Sequence, residues 1–140
     1  MRTIQEIMDR AICVLGGVDL YCTPQDHGLT VPWHGRLYVQ PPYGQGISRW
    51  VDRLVTDYQA GQVTAAIVLI PARTDTRWWR RLNDFPRCFI TGRLRFSGQK
   101  SGAPFPSAVV ALGCDLQAFV TTFGDVGDIW QRWTPPPAEP

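Results

Sequence analysis

Two apolar segments of this chain each run into proline, and an amphipathic segment separates them. Residues 37–39 alternate as a β-strand does before Gln40 and two prolines, and the apolar run at 65–70 ends at Pro71. Proline cannot donate to a sheet or continue a helix, so both strands must end there. Between them, apolar residues recur at helical spacing over 47–58. We therefore predict a strand, a helix and a second strand, joined by the right-handed crossover that connects parallel strands.

The other segments predict further helices and buried strands of an α/β fold. Thr3 and Glu6 form a capping box before an apolar stripe, which predicts a helix that ends at Gly16. A further helix is expected after Asp115. Short apolar runs predict strands at 18–22, 88–90, 94–96 and 108–112, the middle two joined at 91–93, and a last turn with Ile129, Trp130 and Trp133 that packs on the body.

Length and composition fit one domain without a membrane span. The chain has 140 residues, of which 44% are hydrophobic, and this is enough for a single core. We assign the domain to residues 4–133 and expect the proline-rich residues 134–140 to form a disordered tail. No apolar run approaches the roughly 20 residues of a membrane-spanning helix, so we expect a soluble, cytoplasmic protein. The four cysteines lack the paired short spacing of zinc ligands, and we predict neither a metal site nor a disulfide.

Positive charge is concentrated in one part of the chain, although the net charge is only +2. Between residues 73 and 100, seven arginines and one lysine face only two aspartates. Arginine and tryptophan interleave in this region, and such a surface can hold phosphates by charge and bases by stacking. We predict that Arg73, Arg77, Arg80 and Arg81 contact nucleic acid. The alternative is a set of solvated surface arginines.

The loop after the first proline-ended strand carries a distinctive set of groups. In an open α/β sheet, the ligand crevice lies beyond the carboxyl ends of the strands. Gln40 offers an amide, Pro41 and Pro42 hold two backbone carbonyls, and Tyr43 offers an aromatic face. Such groups can bind a planar nitrogen base by hydrogen bonds and stacking, whereas the alternative is an ordinary strand-terminating turn. On the preceding strand, Asp19 is a possible ligand-binding acid.

Six segments, taken together in this order, resemble the phage-type DNA adenine methyltransferases, the Dam-like family. They are Asp-His-Gly-Leu at 26–29, the run at 32–39, Gln-Pro-Pro-Tyr-Gly at 40–44, Leu-Ile-Pro-Ala-Arg-Thr-Asp-Thr-Arg-Trp at 69–78, Gly-Arg-Leu-Arg-Phe at 92–96 and Ala-Pro-Phe-Pro-Ser at 103–107. Pro-Pro-Tyr after a strand is widespread among amino-methylating enzymes, whereas the fourth and sixth segments point to this family. The resemblance runs from about Val18 to near Trp130.

This resemblance implies a Rossmann-like methyltransferase fold, here a reduced three-layer sandwich with a mostly parallel sheet. It also implies S-adenosylmethionine as the cofactor and the exocyclic amino group of adenine in DNA as the substrate, in a phage- or prophage-encoded protein. Gln40 takes the place of an Asn or Asp whose oxygen accepts a hydrogen bond from that amino group, and the Pro41 carbonyl accepts the other. By the same resemblance, Pro42 is a further residue of the catalytic segment, and Tyr43 is expected to stack on the flipped base. Asp19 is the expected cofactor contact, and the four arginines are expected to contact phosphates.

A second function stays open at this point. It is a catalytically inactive methyltransferase-like module that binds DNA or a partner protein through the arginine-rich segment. Gln40 and the short segment before it favour the inactive module, because a βαβ unit takes roughly 30 residues or more. The retained Pro-Pro-Tyr and Arg-Thr-Asp-Thr segments favour the enzyme.

Overall fold

The computed structural model describes residues 2–26, 28–44, 46–96 and 100–138. Within these residues the chain forms four α-helices and one sheet of six strands. The helices are α1 (Ile4–Leu15), α2 (Ile47–Gln59), α3 (Arg77–Arg80) and α4 (Leu116–Phe123). The strands are β1 (Leu20–Cys22), β2 (Gly35–Val39), β3 (Val63–Pro71), β4 (Arg87–Ile90), β5 (Ser107–Leu112) and β6 (Gly127–Trp130). They lie in the order β1-β2-β3-β5-β4-β6 across the sheet.

Helices cover both faces of the sheet and give the three layers that the sequence predicts. On one face, α2 and α3 pack on alternate residues of β2, β3 and β5, such as Val39 and Val68. On the other face, α1 and α4 pack on the intervening residues, among them Tyr38 and Leu69. Since strand side chains alternate between faces, a residue two positions after Tyr38 also projects toward the α1 and α4 side.

The helices begin and end where the sequence supplies caps. The Thr3 hydroxyl accepts a hydrogen bond from the Glu6 backbone N–H at 3.3 Å, and Gly16 ends α1 with a left-handed φ of 71°. Thr76 caps α3 in the same way, accepting from the Trp79 backbone N–H at 3.3 Å. These contacts fix where the loops before α1 and α3 enter their helices.

The predicted crossover from β2 through α2 to β3 is present, and it brings the ends of neighbouring strands to the same edge of the sheet. Leu37 of β2 lies in register with Leu20 of β1 and Ala66 of β3, and both pairings are parallel. The carboxyl ends of β1, β2 and β3 therefore meet at the same edge of the sheet. We call this the carboxyl edge.

The sheet is parallel over only part of its width, so the prediction of a mostly parallel sheet is wrong. Among the five strand pairings of the described residues, β1–β2 and β2–β3 are parallel, whereas β3–β5, β4–β5 and β4–β6 are antiparallel. The reason is visible in β5, all of whose residues are buried. A strand covered on both faces reads as a continuous apolar run whichever way it runs, so its sequence carries no sign of direction.

Two smaller predictions also differ from the structure. Residues 94–96 do not form a strand beside β4: Arg95 makes an isolated bridge to Thr3, and β4 pairs with β5 and β6 instead. Trp130 is 62% exposed and Trp133 is 77% exposed, so the last segment does not pack its tryptophans on the body. None of the described helices is long and apolar enough to cross a membrane. The single domain over 4–133 and the disordered tail at 134–140 stay predictions.

Candidate active site

The loop at 40–43, which we call the 40–43 loop, leaves the sheet at the carboxyl edge. The Gln40 backbone N–H donates to the Cys22 carbonyl at 2.9 Å, which continues the parallel pairing of β1 and β2 by one residue. Pro41 is buried, while Gln40 and Pro42 are partly buried. The backbone of Gln40 is thus held by the sheet, and the prolines stiffen the turn that follows it. This is the position that the sequence predicts for the loop.

The Gln40 side chain is held by a buried tyrosine. The Tyr38 hydroxyl donates to Gln40 Oε1 at 2.8 Å. Tyr38 is fully buried in the α1 and α4 face of the sheet, and burial raises the pKa of its hydroxyl far above the ordinary value. The hydroxyl therefore stays protonated and acts as a hydrogen-bond donor at every working pH. A carbonyl oxygen has two lone pairs, so Gln40 Oε1 keeps one acceptor position for a second donor.

Tyr43 lies in an aromatic cluster rather than in open solvent. Its ring meets Phe96 and Phe105 at centroid distances of 5.1 and 4.8 Å with interplanar angles of 72° and 89°. The ring is partly buried, but its hydroxyl oxygen is enclosed and has no hydrogen-bond partner among the described residues. Burial raises the pKa of this hydroxyl well above its ordinary range. An enclosed polar atom without a partner is uncommon, and it marks a place where a ligand or water completes the bonding.

A cleft of about 230 Å³ opens beside Tyr43, between the ends of β2 and β3. It is lined on one side by Tyr43, Gly44 and Ile47, and on the other by Pro71, Arg73, Thr76, Trp78 and Phe105. Pockets for drug-sized ligands are larger, roughly 300–1,000 Å³, so this cleft suits one ring system rather than a whole nucleotide. A smaller space of about 100 Å³ lies between Tyr43, Phe96 and the 103–105 segment.

The loop after β3 is ordered by its own hydrogen bonds. The Ala72 backbone N–H donates to the Pro106 carbonyl at 2.9 Å, and the Thr76 hydroxyl donates to the Arg73 carbonyl at 2.7 Å. The Arg73 guanidinium lies 5.6 Å from the centre of the Phe105 ring, within cation–π distance. Arg73, in the loop after β3, therefore places a cation at the same cleft that the 40–43 loop lines.

The other predicted DNA-binding arginines divide into two kinds. Arg77 and Arg80 are exposed on α3, and within the described part of the chain no ion pair involves Arg73, Arg77 or Arg80. Arg81 is different, because it pairs with Asp52 of α2 at 3.0 Å. The first three guanidinium groups are available for phosphates, whereas Arg81 already has an anionic partner.

Arg87, part of the same positive stretch, is structural. It is 7% exposed, and its guanidinium donates to the carbonyls of Leu82 and Phe85 and lies 5.3 Å from the Trp79 ring. These contacts hold the turn between α3 and β4 rather than a ligand. Lys100, at the end of the positive stretch, is exposed.

Asp19 does not join the 40–43 loop. It precedes β1, and its carboxylate accepts hydrogen bonds from the backbone N–H and the Nε of Arg36, at 2.8 and 3.3 Å. Arg36 lies four residues before Gln40 on β2, which is roughly 13 Å along a strand. Asp19 therefore lies at the opposite edge of the sheet, where it closes an ion pair. An acid that precedes an apolar strand in the sequence can lie at either edge of the sheet, so the sequence alone did not predict where Asp19 lies.

The Asp19 ion pair makes a pH prediction. Hydrogen bonds from Arg36 lower the pKa of the Asp19 carboxyl, so the pair stabilises the fold above the ordinary pKa of about 4 and is lost as pH falls through the lower native value. We expect Asp19→Asn to make the acid-side loss of stability shallower, because the variant has no carboxylate to protonate. Urea unfolding between pH 2 and 7 measures this dependence. An acid-side loss of stability as steep in Asp19→Asn as in the unchanged protein would contradict the stabilising role of the ion pair.

Most of this chain matches the model of a known protein family. The family model described as DNA N-6-adenine-methyltransferase (Dam) matches residues 16–112, more than half of the 140-residue chain. The chain belongs to the Dam family. No characterised protein and no solved structure matches it. The match runs from the end of α1 to the end of β5, so it includes every residue of the carboxyl edge described above.

Sequence reasoning missed two residues of this candidate site. One is Tyr38, the partner of Gln40, although the period of two in a strand puts residues 38 and 40 on the same face. The other is Ser107, the first residue of β5, which lies in register with Pro71 at the carboxyl edge. Ser107 is 1% exposed, and its hydroxyl, like that of Tyr43, has no hydrogen-bond partner among the described residues. Only the antiparallel pairing of β5 with β3 brings Ser107 to this edge.

Proposed function

We propose that this Dam-family chain transfers a methyl group from S-adenosylmethionine to the exocyclic amino nitrogen of adenine in DNA. The observation that carries this proposal is the position of the 40–43 loop: it leaves a strand at the carboxyl edge and lines a cleft with the cationic loop after β3. Ligands of open α/β sheets bind outside the carboxyl ends of the strands. A reduced Rossmann-like methyltransferase sheet, parallel from β1 to β3, is the fold that goes with this function.

The residues of the carboxyl edge fit a polar cofactor. Both buried side-chain oxygens that lack a partner among the described residues, those of Tyr43 and Ser107, belong to this edge. An unpaired buried hydroxyl costs about 1–3 kcal/mol, and a bound polar group removes that cost. Tyr43 lines both cavities at this edge, and it is therefore the residue we assign to hold S-adenosylmethionine, which would supply an electrophilic methyl group on a sulfonium centre.

The role of the chain's own groups is to orient the amino group of the target base. Gln40 Oε1 has one lone pair left after Tyr38 takes the other, and it accepts one amino hydrogen. The Pro41 carbonyl accepts the second hydrogen, and the Tyr43 ring stacks on the base. Two acceptors on the hydrogens direct the nitrogen lone pair away from them, so the reaction needs orientation rather than a strong base. Extracting the adenine from the duplex costs about a few kcal/mol, which stacking on Tyr43 offsets.

The arginines supply sequence-independent affinity. Arg73, Arg77 and Arg80 are not engaged in ion pairs within the described residues, and we assign them to DNA phosphates. Phosphate contacts fix register and orientation, while the pocket selects the base. A cytoplasmic location and a phage or prophage origin stay predictions that accompany this function.

A second function is favoured by specific observations. Gln40 Oε1 already has a donor in Tyr38, and Asp19, the acid predicted to contact the cofactor, lies at the opposite edge of the sheet. These observations fit a catalytically inactive module that binds DNA through its arginines. Such a module would bind duplex DNA with strong salt dependence and would not bind the cofactor.

One experiment separates the two functions. The protein is incubated with mixed-sequence duplex DNA and S-adenosylmethionine labelled on the methyl group, while calorimetry measures cofactor binding to the same preparation. The proposed enzyme binds the cofactor and puts label into DNA in proportion to enzyme concentration. DNA binding without either cofactor binding or label identifies the inactive module.

A further inference from the structure

The Tyr38–Gln40 pair lies beneath the loop that the proposed function uses. Gln40 stands where the resemblance to Dam-like enzymes implies a side chain one methylene shorter, and a group displaced by about 1 Å can lose about a hundredfold in rate. We propose that Tyr38 is a positioning residue, whose hydroxyl holds the longer Gln40 side chain so that its amide oxygen faces the target amino group. This role depends on the proposed methyl transfer.

The geometry gives the Tyr38 hydroxyl one described protein partner. Its ring is fully buried between the sheet and the α1 and α4 face, and the ring of Tyr21 lies beside it at 6.4 Å. Close packing in the core holds the buried ring in one position, and the ring in turn fixes the position of its hydroxyl. The only hydrogen bond that this hydroxyl makes within the described residues is the 2.8 Å bond to Gln40 Oε1. The position of the Gln40 amide is therefore set by Tyr38, a residue of the core.

The Tyr38–Gln40 hydrogen bond also explains how the longer glutamine side chain can act as the acceptor for the target amino group. A free glutamine has three rotatable side-chain bonds, and ordering them costs conformational entropy. Anchoring Oε1 on Tyr38 removes that freedom before the substrate binds, so the amide is preorganised. Asparagine at the same position would fall about one bond length short of the Tyr38 hydroxyl, and the 2.8 Å bond would be lost.

The Tyr43 hydroxyl lies close enough to that of Tyr38 to act on it electrostatically. Burial is the main cause of the raised pKa of Tyr38, and the neighbouring Tyr43 hydroxyl raises that pKa further. Tyr38, Gln40 and Tyr43 thus form one polar group at the carboxyl edge. In it the donor to the Gln40 amide is Tyr38, since the Tyr43 hydroxyl has no hydrogen-bond partner among the described residues.

A double-mutant cycle on residues 38 and 40 tests this role. Tyr38→Phe keeps the buried ring and removes only the hydroxyl, while Gln40→Asn keeps the amide and shortens its stem. We expect each change to lower kcat by about 10- to 100-fold, with KM for DNA within about threefold. The double variant should be no slower than the slower single variant, because either change alone already breaks the 2.8 Å bond.

Tyr21→Phe is the matched control. Tyr21 lies in register with Tyr38 on β1 and is 38% exposed, and within the described residues its hydroxyl makes no hydrogen bond to Gln40, so this change removes a phenol hydroxyl from the adjacent strand and leaves the Tyr38–Gln40 bond in place. We expect its kcat to stay within about twofold of the unchanged protein. Melting temperatures of all variants confirm that they are folded. Three results would each overturn the positioning role. Tyr38→Phe could be as active as Tyr21→Phe, or Gln40→Asn could be faster than the unchanged protein. The third is a double variant in which the two losses of kcat add.

The side-chain amide signals of Gln40 give a readout that does not need activity. In ¹⁵N-labelled protein, Tyr38→Phe should shift the Gln40 amide resonances, and Tyr21→Phe should leave them in place. If the unchanged protein transfers no methyl group, the proposed function fails, and the role of Tyr38 in catalysis fails with it. If the unchanged protein is active but Tyr38→Phe changes neither the Gln40 amide signals nor kcat, only the positioning role fails.

Discussion

Tyr43→Ala is expected to lower methyl transfer by about a hundredfold while DNA binding persists. Base–aromatic stacking contributes about 1–3 kcal/mol, and a base that no longer rests on the ring loses its alignment as well. Tyr43 also contacts Phe96 and Phe105, so the alanine variant opens space in the cluster that lines the 230 Å³ cleft. Single-turnover transfer and nitrocellulose-filter DNA binding measure the two properties separately.

Tyr43→Phe is the matched control for that loss. It keeps the ring and its edge contacts but removes a hydroxyl that has no hydrogen-bond partner among the described residues. The melting temperature of Tyr43→Phe should be equal to or higher than that of the unchanged protein, since an enclosed unpaired hydroxyl costs about 1–3 kcal/mol. Its transfer rate should stay within about tenfold, the loss reflecting any cofactor contact of the hydroxyl. Stacking is not the role of Tyr43 if the alanine and phenylalanine variants are equally active.

Replacing Arg73, Arg77 and Arg80 together by alanine is expected to weaken DNA binding by about 10- to 100-fold at low salt. Each phosphate contact contributes about 0.9 to the slope of log affinity against log salt, so the triple variant should lose nearly three from that slope. The loss should be similar for unrelated sequences, because phosphate contacts carry no sequence information. Fluorescence anisotropy with a labelled duplex at several salt concentrations gives both values.

Arg81→Ala supplies the comparison within the same segment. Its guanidinium pairs with Asp52 at 3.0 Å, and both side chains are partly exposed. We expect this variant to change the salt slope by much less than one and to bind DNA within about threefold of the unchanged protein. An Arg81→Ala effect as large as the triple effect would show that Arg81 leaves Asp52 to meet DNA, and the division of the arginines would then be wrong.

The elements near the site could be predicted from the sequence, because local rules determine them. Prolines must end β2 and β3, and the apolar stripe of α2 must face the sheet, so the crossover and its carboxyl edge follow. The 40–43 loop and the loop after β3 lie where these rules place them. The family was also evident from ordered segments such as Pro-Ala-Arg-Thr-Asp-Thr at 71–76.

What the sequence could not supply are the long-range pairings. The direction of β5 depends on which neighbour it joins, and its buried residues read alike in both directions. That pairing brings Ser107 to the carboxyl edge. The partner of Asp19 is likewise a residue on another strand, Arg36. No local pattern in the sequence predicts such an ion pair. Residues 97–99, part of the glycine- and proline-rich segment before β5, lie outside the described residues.

The most direct test of the account is to identify the methylated nucleoside. Mixed-sequence duplex DNA is treated with the protein and labelled S-adenosylmethionine, digested to nucleosides and separated by mass spectrometry, with Tyr43→Ala treated in parallel. We expect N6-methyldeoxyadenosine from the unchanged protein and about a hundredfold less from Tyr43→Ala. A methyl group on another base, or none from a preparation that binds both DNA and cofactor, would contradict the assignment of the 40–43 loop as an adenine receptor.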